Sequence, residues 1–213
     1  MRRLMTLMVC FQIFSGGVSA EVFQLETDLK IVLPQLAAPW SASTEPPPAM
    51  VEHLVEHVLE EAAQKGTLLS TDQARQVALK RAMNNQLFVA NEDSGAHLLI
   101  SFSRLEKGET APSAKTVAQS AQYALESVAD EGWSVISRRQ ATTVIKGAEF
   151  AQWVSIEYTQ DEEHSLFNGI VGFAFPYWFW FYATDHLKNP HDQKFLEGLL
   201  LKIGVQVAVE KAG

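Results

Sequence analysis

Hydrophobic residues follow two different periods along this chain, and the change of period separates helices from strands. Apolar side chains at i, i+3, i+4 and i+7 predict amphipathic helices. This spacing recurs in four segments: 50–64, 70–83, 113–130 and 189–207. The second segment carries a further start signal, because Ser70 and Gln73 have the spacing of a capping box.

Alternation with a period of two predicts strands in the rest of the chain. A strand pair is predicted within 23–33, turning at Thr27-Asp28, and a hairpin from 87–90 and 97–105. Further strands are predicted at 133–137, at 142–145, at 150–159 and within 168–184. Residues 36–50 are predicted to be an irregular connector, because their four prolines remove backbone donors and fix φ.

The order of these elements predicts an α+β fold, with an antiparallel sheet sandwiched by helices and an appended helical insertion. Runs of consecutive strands favour antiparallel pairing over parallel βαβ units. We expect the helices at 113–130 and 189–207 to cover the sheet, and the helices at about 47–84 to form the insertion. Residues 21–213 are therefore interpreted as a single domain.

The first twenty residues have the anatomy of a secretory signal peptide. Arg2 and Arg3 precede an apolar run at 4–14, and Val18-Ser19-Ala20 places small residues where signal peptidase cuts. The apolar run is shorter than the ~20 residues that span a bilayer. We therefore expect export, cleavage after Ala20 and no membrane span afterwards, with the mature protein in the periplasm or secreted.

Charge and cysteine content narrow the partners and the chemistry. The chain holds 17 basic and 25 acidic residues, a net charge of −8, which repels phosphate backbones, so no nucleic acid is expected as a partner. The only cysteine, Cys10, follows Val9, which is too large for the residue before a lipid-attachment site, and is expected to leave with the signal. The sequence has no phosphate-binding glycine loop and no serine-nucleophile motif, and it predicts no cofactor.

One motif offers metal chemistry. The spacing His53-x-x-Glu56-His57 matches H-x-x-E-H, in which two histidines one helical turn apart hold Zn²⁺ and the glutamate polarises a water molecule. This chemistry needs a third ligand, for which Glu126 or Glu131 is a candidate. The competing interpretation is a charged helix face turned to solvent, which the apolar stripe on the other side of the same helix favours.

An uncharged stretch at 167–184 holds nine aromatic residues. Its β-forming residues and Pro176 favour two strands buried under helices over a membrane helix. If one face of this segment is open, Tyr177, Trp178, Trp180 and Tyr182 form the best binding surface in the chain. Alternation along a strand places Trp178 and Trp180 together on one face and Tyr177 on the other, and we expect both tryptophans to belong to the core.

Short matches along the chain follow the element order of a known family. They are Phe23-Gln24-Leu25 before Pro39-Trp40, Asp130-Glu131-Gly132-Trp133, Gly147-Ala148-Glu149-Phe150 leading into 154–158, and Phe181-Tyr182-Ala183-Thr184 before the last helix. On these residues the chain resembles the PsbP/Mog1/DcrB-like group of α/β/α-sandwich proteins over most of 23–207, and departs from it at 47–84 and in the aromatic stretch. The resemblance implies an extracytoplasmic protein that binds or assembles without chemistry of its own.

These observations favour an exported, non-enzymatic binding or accessory protein of the cell envelope. Its partner is expected to be a protein or another envelope component. The alternative from a different class is a metal-dependent hydrolase that uses His53, Glu56 and His57.

The signal peptide gives the first testable prediction. Amino-terminal sequencing of the protein purified from its native host should read Glu-Val-Phe-Gln, and cell fractionation should recover it outside the cytoplasm. A protein that retains Met1 in the cytosolic fraction would contradict the prediction.

Overall fold

The computed structural model describes residues 20–130, 134–160, 163–185 and 189–208. The predicted signal peptide up to residue 19, and the predicted roles of Glu131 and Trp133, lie outside the described residues. The helices are α1 (Pro48–Gln64), α2 (Thr71–Ala82), α3 (Ala114–Asp130) and α4 (Pro190–Leu200). The strands are β1 (Ala20–Gln24), β2 (Leu29–Pro34), β3 (Trp40–Ser43), β4 (Leu87–Asn91), β5 (His97–Arg104), β6 (Ser134–Thr143), β7 (Phe150–Gln160), β8 (Glu163–Ala174), β9 (Tyr177–Asp185) and β10 (Gly204–Val207).

Seven of these strands form one antiparallel sheet in the order β3-β4-β5-β9-β8-β7-β6. The other three form a small antiparallel sheet in the order β1-β2-β10. The helical pair α1–α2 stands between β3 and β4. The predicted α+β class, with an antiparallel sheet between helices and a helical insertion, is confirmed.

The two faces of the large sheet have different covers. Helix α3 lies across β6, β7 and β8, where Leu125 packs in one cluster with Val154 and Ile156. On the opposite face, helix α4 and the small sheet pack against the large sheet in a second, larger cluster that includes Leu199 and Ile31. The sheet therefore separates two apolar layers, and one of its covers is a sheet as well as a helix.

Strand β9 contributes to both layers through the alternation of its side chains. Phe179 and Phe181 are fully buried on the α4 side and stack with ring centroids 4.7 Å apart. Trp178 and Trp180 are half-buried on the α3 side and stack at 6.1 Å. The alternation predicted for this strand is what the structure shows.

The inserted helices pack mainly on one another. Their shared apolar seam joins three valines of α1 to two alanines of α2, whose small side chains let the helices approach closely (Val51, Val55, Val58, Ala74 and Ala78). Helix α2 begins with the predicted capping box: the Ser70 hydroxyl accepts from the Gln73 amide at 3.2 Å, and the Gln73 side chain accepts from the Ser70 amide at 2.9 Å.

The last predicted helix is wrong in its second half. The helix ends at Leu200, and Gly204–Val207 forms strand β10 against β2. Two β-branched valines with Gln206 between them suit a strand, and pairing places Val205 opposite Ile31 in the core. The apolar residues of this short strand also face the core, so their spacing in the sequence resembled a continuation of the helix.

Two other predictions are corrected near the ends of the large sheet. The connector at 36–50 contains strand β3 and the first turn of α1, since Pro48 takes the initial helical position where a missing N–H costs nothing. The separate strands predicted at 133–137 and 142–145 are parts of one strand, β6. Its central polar residues are exposed because β6 is an edge strand of the sheet.

Glycine at 172 is required by close packing of the sheet, which gives a testable prediction. A Cβ added at Gly172 would lie 2.1 Å from Cζ of the buried Phe179 ring and 2.8 Å from the Phe150 carbonyl oxygen. We expect Gly172→Ala to lower the free energy of unfolding by ~1–3 kcal/mol or more, because ~1–3 kcal/mol is the usual cost of overpacking.

The matched control is Gly198→Ala in helix α4, where an added Cβ has no atom within 4 Å. This change should raise the free energy of unfolding by ~0.4–1 kcal/mol, because alanine restricts the unfolded chain. Urea unfolding of both variants measures the difference. Equal stability of the two variants would contradict the packing described for β8 and β9.

Candidate functional site

The largest apolar opening that we find in the described residues lies between the start of α1 and the turn from β4 to β5. It is a cavity of about 540 Å³, which we call the α1 groove. Its lining consists of the α1 start, the β4–β5 turn and one residue of β3 (Ser41, Pro47, Pro48, Ala49, Met50, His53, Ala90, Asn91, Glu92, Ser94, Gly95 and His97). Apolar residues predominate on the α1 side, and polar groups gather at the turn.

The turn side of the α1 groove is held by Asn91. Its side-chain oxygen accepts from the Asp93 amide at 2.9 Å and from the Ser94 amide at 3.3 Å. Its side-chain nitrogen donates to the buried Asp192 at 2.9 Å, which ties the end of β4 to helix α4. Gly95 completes the turn with a φ of +76°, a conformation that favours glycine. Hydrogen bonds therefore define the shape of this wall of the groove and tie it to helix α4.

Two histidines line the α1 groove, and burial lowers the pKa of each. For His53 the second cause is the charge of nearby His57; for His97 a hydrogen bond between Nδ1 and the Gly95 carbonyl, 2.9 Å long, opposes the shift. Both imidazoles are thus more readily neutral than in water. Neutral imidazoles suit an apolar occupant better than charged ones do.

The H-x-x-E-H motif brings its two histidines together on the surface of α1. The Nε2 atoms of His53 and His57 lie 3.0 Å apart. His57 Nδ1 lies 3.8 Å from a carboxylate oxygen of Glu60, and Glu56 is exposed. Among the described residues, no group of three or more histidine, cysteine, aspartate or glutamate side chains is placed to hold a metal ion, and Glu126 is hydrogen-bonded to Gln122.

The predicted aromatic surface is divided by the sheet. Tyr177 is 2% exposed on the α4 side, so its ring belongs to the core. Trp178, Trp180 and Tyr182 are half-buried on the opposite face, where Tyr182 packs on Phe167 with centroids 5.4 Å apart. Burial raises the pKa of Tyr182 to about 12. A binding role for these aromatic residues stays a prediction.

Tyr177 joins the small sheet to the large one through a charged network. Its hydroxyl donates to Asp28 in the β1–β2 turn at 2.6 Å and accepts from Arg104 at 2.9 Å. Arg104 also donates to Asp28 at 3.2 Å and lies over the Tyr177 ring. The Tyr177 hydrogen bond is the main cause that lowers the pKa of Asp28, whereas burial, then Asp28, raises the pKa of Tyr177 to about 12.

A second cavity, of about 350 Å³, lies between the β6–β8 end of the sheet and helix α4 and is polar. In it His164 Nε2 lies 2.5 Å from a carboxylate oxygen of Glu157, and the Ser137 hydroxyl donates to Glu157 at 3.3 Å. Arg139 and Glu197 also line the cavity. No local sequence pattern indicates this cluster, because its members meet only through the pairing of β6, β7 and β8.

The α1 groove was also missed as a unit. Its residues come from three separated parts of the chain, and of these only His53 stood out in the sequence. The one available signal was the cluster of prolines before α1, which predicted an irregular connector and not a cavity wall.

Comparison with known proteins finds similarity to solved structures. No protein-family model and no curated protein matches the chain. The solution structure of cyanobacterial PsbP (CyanoP) from Synechocystis sp. PCC 6803 is similar to it, with a TM-score of 0.44 and 11% sequence identity, covering 93% of this chain and 98% of that chain. In the described part of the chain, no helix is both long enough and apolar enough to cross a bilayer.

The Tyr177 network predicts a specific pH dependence of stability. Removing the hydroxyl in Tyr177→Phe should lower the free energy of unfolding at pH 7 by about 1 kcal/mol, a value reduced because Asp28 is partly exposed. A lowered pKa means that Asp28 contributes stability above its unfolded pKa and loses it as pH falls through the folded value. The variant should therefore lose less stability on acidification, as measured by urea unfolding at pH 7 and pH 3.

Tyr182→Phe is the matched control, because burial alone raises its pKa. A tyrosine with a raised pKa loses its contribution as pH rises from its ordinary value of 10.0 towards about 12. Between these two pH values, both variants should lose less free energy of unfolding than the parent. Only Tyr177→Phe should also change the loss of stability between pH 7 and pH 3. If Tyr177→Phe lost as much stability as the parent between pH 7 and pH 3, the network would not stabilise the fold.

Proposed function

We propose that this chain is an exported, non-enzymatic binding or accessory protein of the cell envelope, and that the α1 groove receives an apolar side chain of a partner protein. The observation that carries the proposal is the groove itself. Its volume, about 540 Å³, lies within the ~300–1,000 Å³ of ligand-binding pockets, and its lining combines apolar surface with few polar groups.

The arrangement of the lining supports a protein as the occupant. Protein–protein interfaces have an apolar centre, in which anchor side chains are buried, and a polar rim. In the groove, Pro47, Pro48 and Met50 supply apolar surface, and Glu92 and Ser94 supply polar groups at the turn. A partner segment with an apolar anchor, flanked by polar or basic residues, fits this pattern and the net negative charge of the chain.

The signal peptide supports the location. It directs the chain out of the cytoplasm, and a binding role needs no cofactor there. The resemblance to PsbP-like proteins, read from short matches and element order, is consistent with a role in binding or assembly.

The proposal is tested by photo-crosslinking in intact cells. A photoreactive amino acid at Met50, inside the α1 groove, should crosslink to a partner protein through an apolar segment of that partner, as mapped by mass spectrometry. The same probe at Tyr123, which is 68% exposed on α3, should not. A lipid or small molecule attached at Met50, or equal products at both positions, would contradict a protein anchor in the groove.

A pair of substitutions tests whether the Met50 crosslink depends on the groove or is a general property of the protein surface. Ala90→Phe places a ring in the groove and should abolish the Met50 crosslink, because the anchor and the new ring compete for one space. Ala141→Phe places the same ring on the exposed strand β6 and should leave the crosslink unchanged. Crosslinking that survives Ala90→Phe would overturn the proposal.

A further inference from the structure

We propose that His53 and His57 together bind a late first-row transition-metal ion, of the class of Cu²⁺, Ni²⁺ and Zn²⁺, at the rim of the α1 groove. This inference goes beyond the proposed binding function and does not depend on it. It differs from the hydrolase alternative, because it assigns no catalytic step and no role to Glu56.

The positions of the two ring nitrogens already suit a metal ion. The Nε2 atoms of His53 and His57 are 3.0 Å apart. With metal–nitrogen bonds of ~2.0–2.1 Å, two neighbouring ligands are separated by about 2.9 Å at a right angle and about 3.4 Å at a tetrahedral angle. The observed separation falls between these values, so small ring rotations bring both nitrogens to one ion.

A carboxylate and open solvent lie beside the two rings. Glu60 lies one turn along from His57, with a carboxylate oxygen 3.8 Å from the His57 Nδ1 atom. A side-chain rotation brings this oxygen to hydrogen-bond distance, where a carboxylate commonly orients a ligating imidazole. The His57 side chain is 46% exposed, which leaves the site open to solvent.

The ligand type selects the class of ion. Imidazole nitrogen suits copper, nickel and zinc, whereas Mg²⁺ prefers oxygen ligands. Two histidines fill only part of the coordination sphere, and water completes it. Because His53 also lines the α1 groove, a bound ion lies beside the groove and can accept a donor atom from its occupant.

The test is isothermal titration calorimetry, in which the heat of binding is measured as CuCl₂, NiCl₂, ZnCl₂ or MgCl₂ is added to the purified protein. The buffer is weakly coordinating, at pH 7.5. We expect one equivalent of each late metal to bind, Cu²⁺ most tightly, and no binding of Mg²⁺. Both His53→Ala and His57→Ala should lose this binding step, since a chelate needs both rings. Glu60→Gln should weaken it by up to ~10-fold, as loss of an orienting carboxylate does.

Controls on the same chain make the result specific. His191→Ala removes an exposed histidine of α4 and Glu56→Gln removes the glutamate of the motif; both should bind metal as the parent does. Thermal melts without metal should be unchanged in the His53 and His57 variants. Added Zn²⁺ should raise the melting temperature of the parent and of the two controls, and should not raise that of the His53 and His57 variants.

Three results would overturn the proposal: no binding by the parent, full binding by His53→Ala, or equal loss in His191→Ala. The Ala90→Phe variant keeps the two proposals apart. It should bind metal normally while losing the Met50 crosslink, so either site can fail without the other.

Discussion

Burial of strand β9, which is full on one face and partial on the other, is the constraint on which the rest of the structure depends. Phe179 and Phe181 need an apolar cover on one side, and Trp178 and Trp180 need one on the other. Full burial of an aromatic side chain is worth ~1.5–3 kcal/mol, so an uncovered face would remove much of a typical domain's net stability. On the tryptophan side, the cluster formed by helix α3 with strands β7 and β8 covers the two rings in part, and on the phenylalanine side α4 and the small sheet complete the cover.

The α1 groove follows from how these covers are divided. Helix α3 packs on β6, β7 and β8, and the edge formed by β3, β4 and β5 is approached by α1. The valines of α1 face α2, so they do not fill the space above Ala90 and His97. Because the apolar residues of α1 and α2 bury one another, they leave an opening between α1 and the sheet. His53 lies at the rim of this opening.

The small sheet is held in place by interactions at opposite ends of the sequence. Asp28, in the first turn, meets Tyr177 and Arg104 from the large sheet, and β10 at the end of the chain pairs with β2. The apolar layer beneath provides most of the attraction, because it is extensive and non-directional. The Asp28 network adds direction, since its hydrogen bonds form at one position of the small sheet only.

The sequence by itself determined the elements whose signals are local. The period of 3.6 predicted α1, α2 and α3, the Ser70–Gln73 capping box predicted the start of α2, and alternation predicted the two faces of β9. Consecutive strands predicted the antiparallel class. Each of these signals depends on residues within a few positions of one another, so a single sequence contains them.

Only the tertiary structure decided what depends on distant partners. β10 is a strand because it pairs with β2, and β3 is a strand because it pairs with β4. The prolines near β3 hide this strand from local sequence patterns. The candidate sites are of the same kind: His53 and His57 were visible as a motif, whereas the α1 groove and the Glu157–His164 cluster join segments whose proximity is set by strand register. Register is fixed by burial of the whole sheet, which no local window of sequence contains.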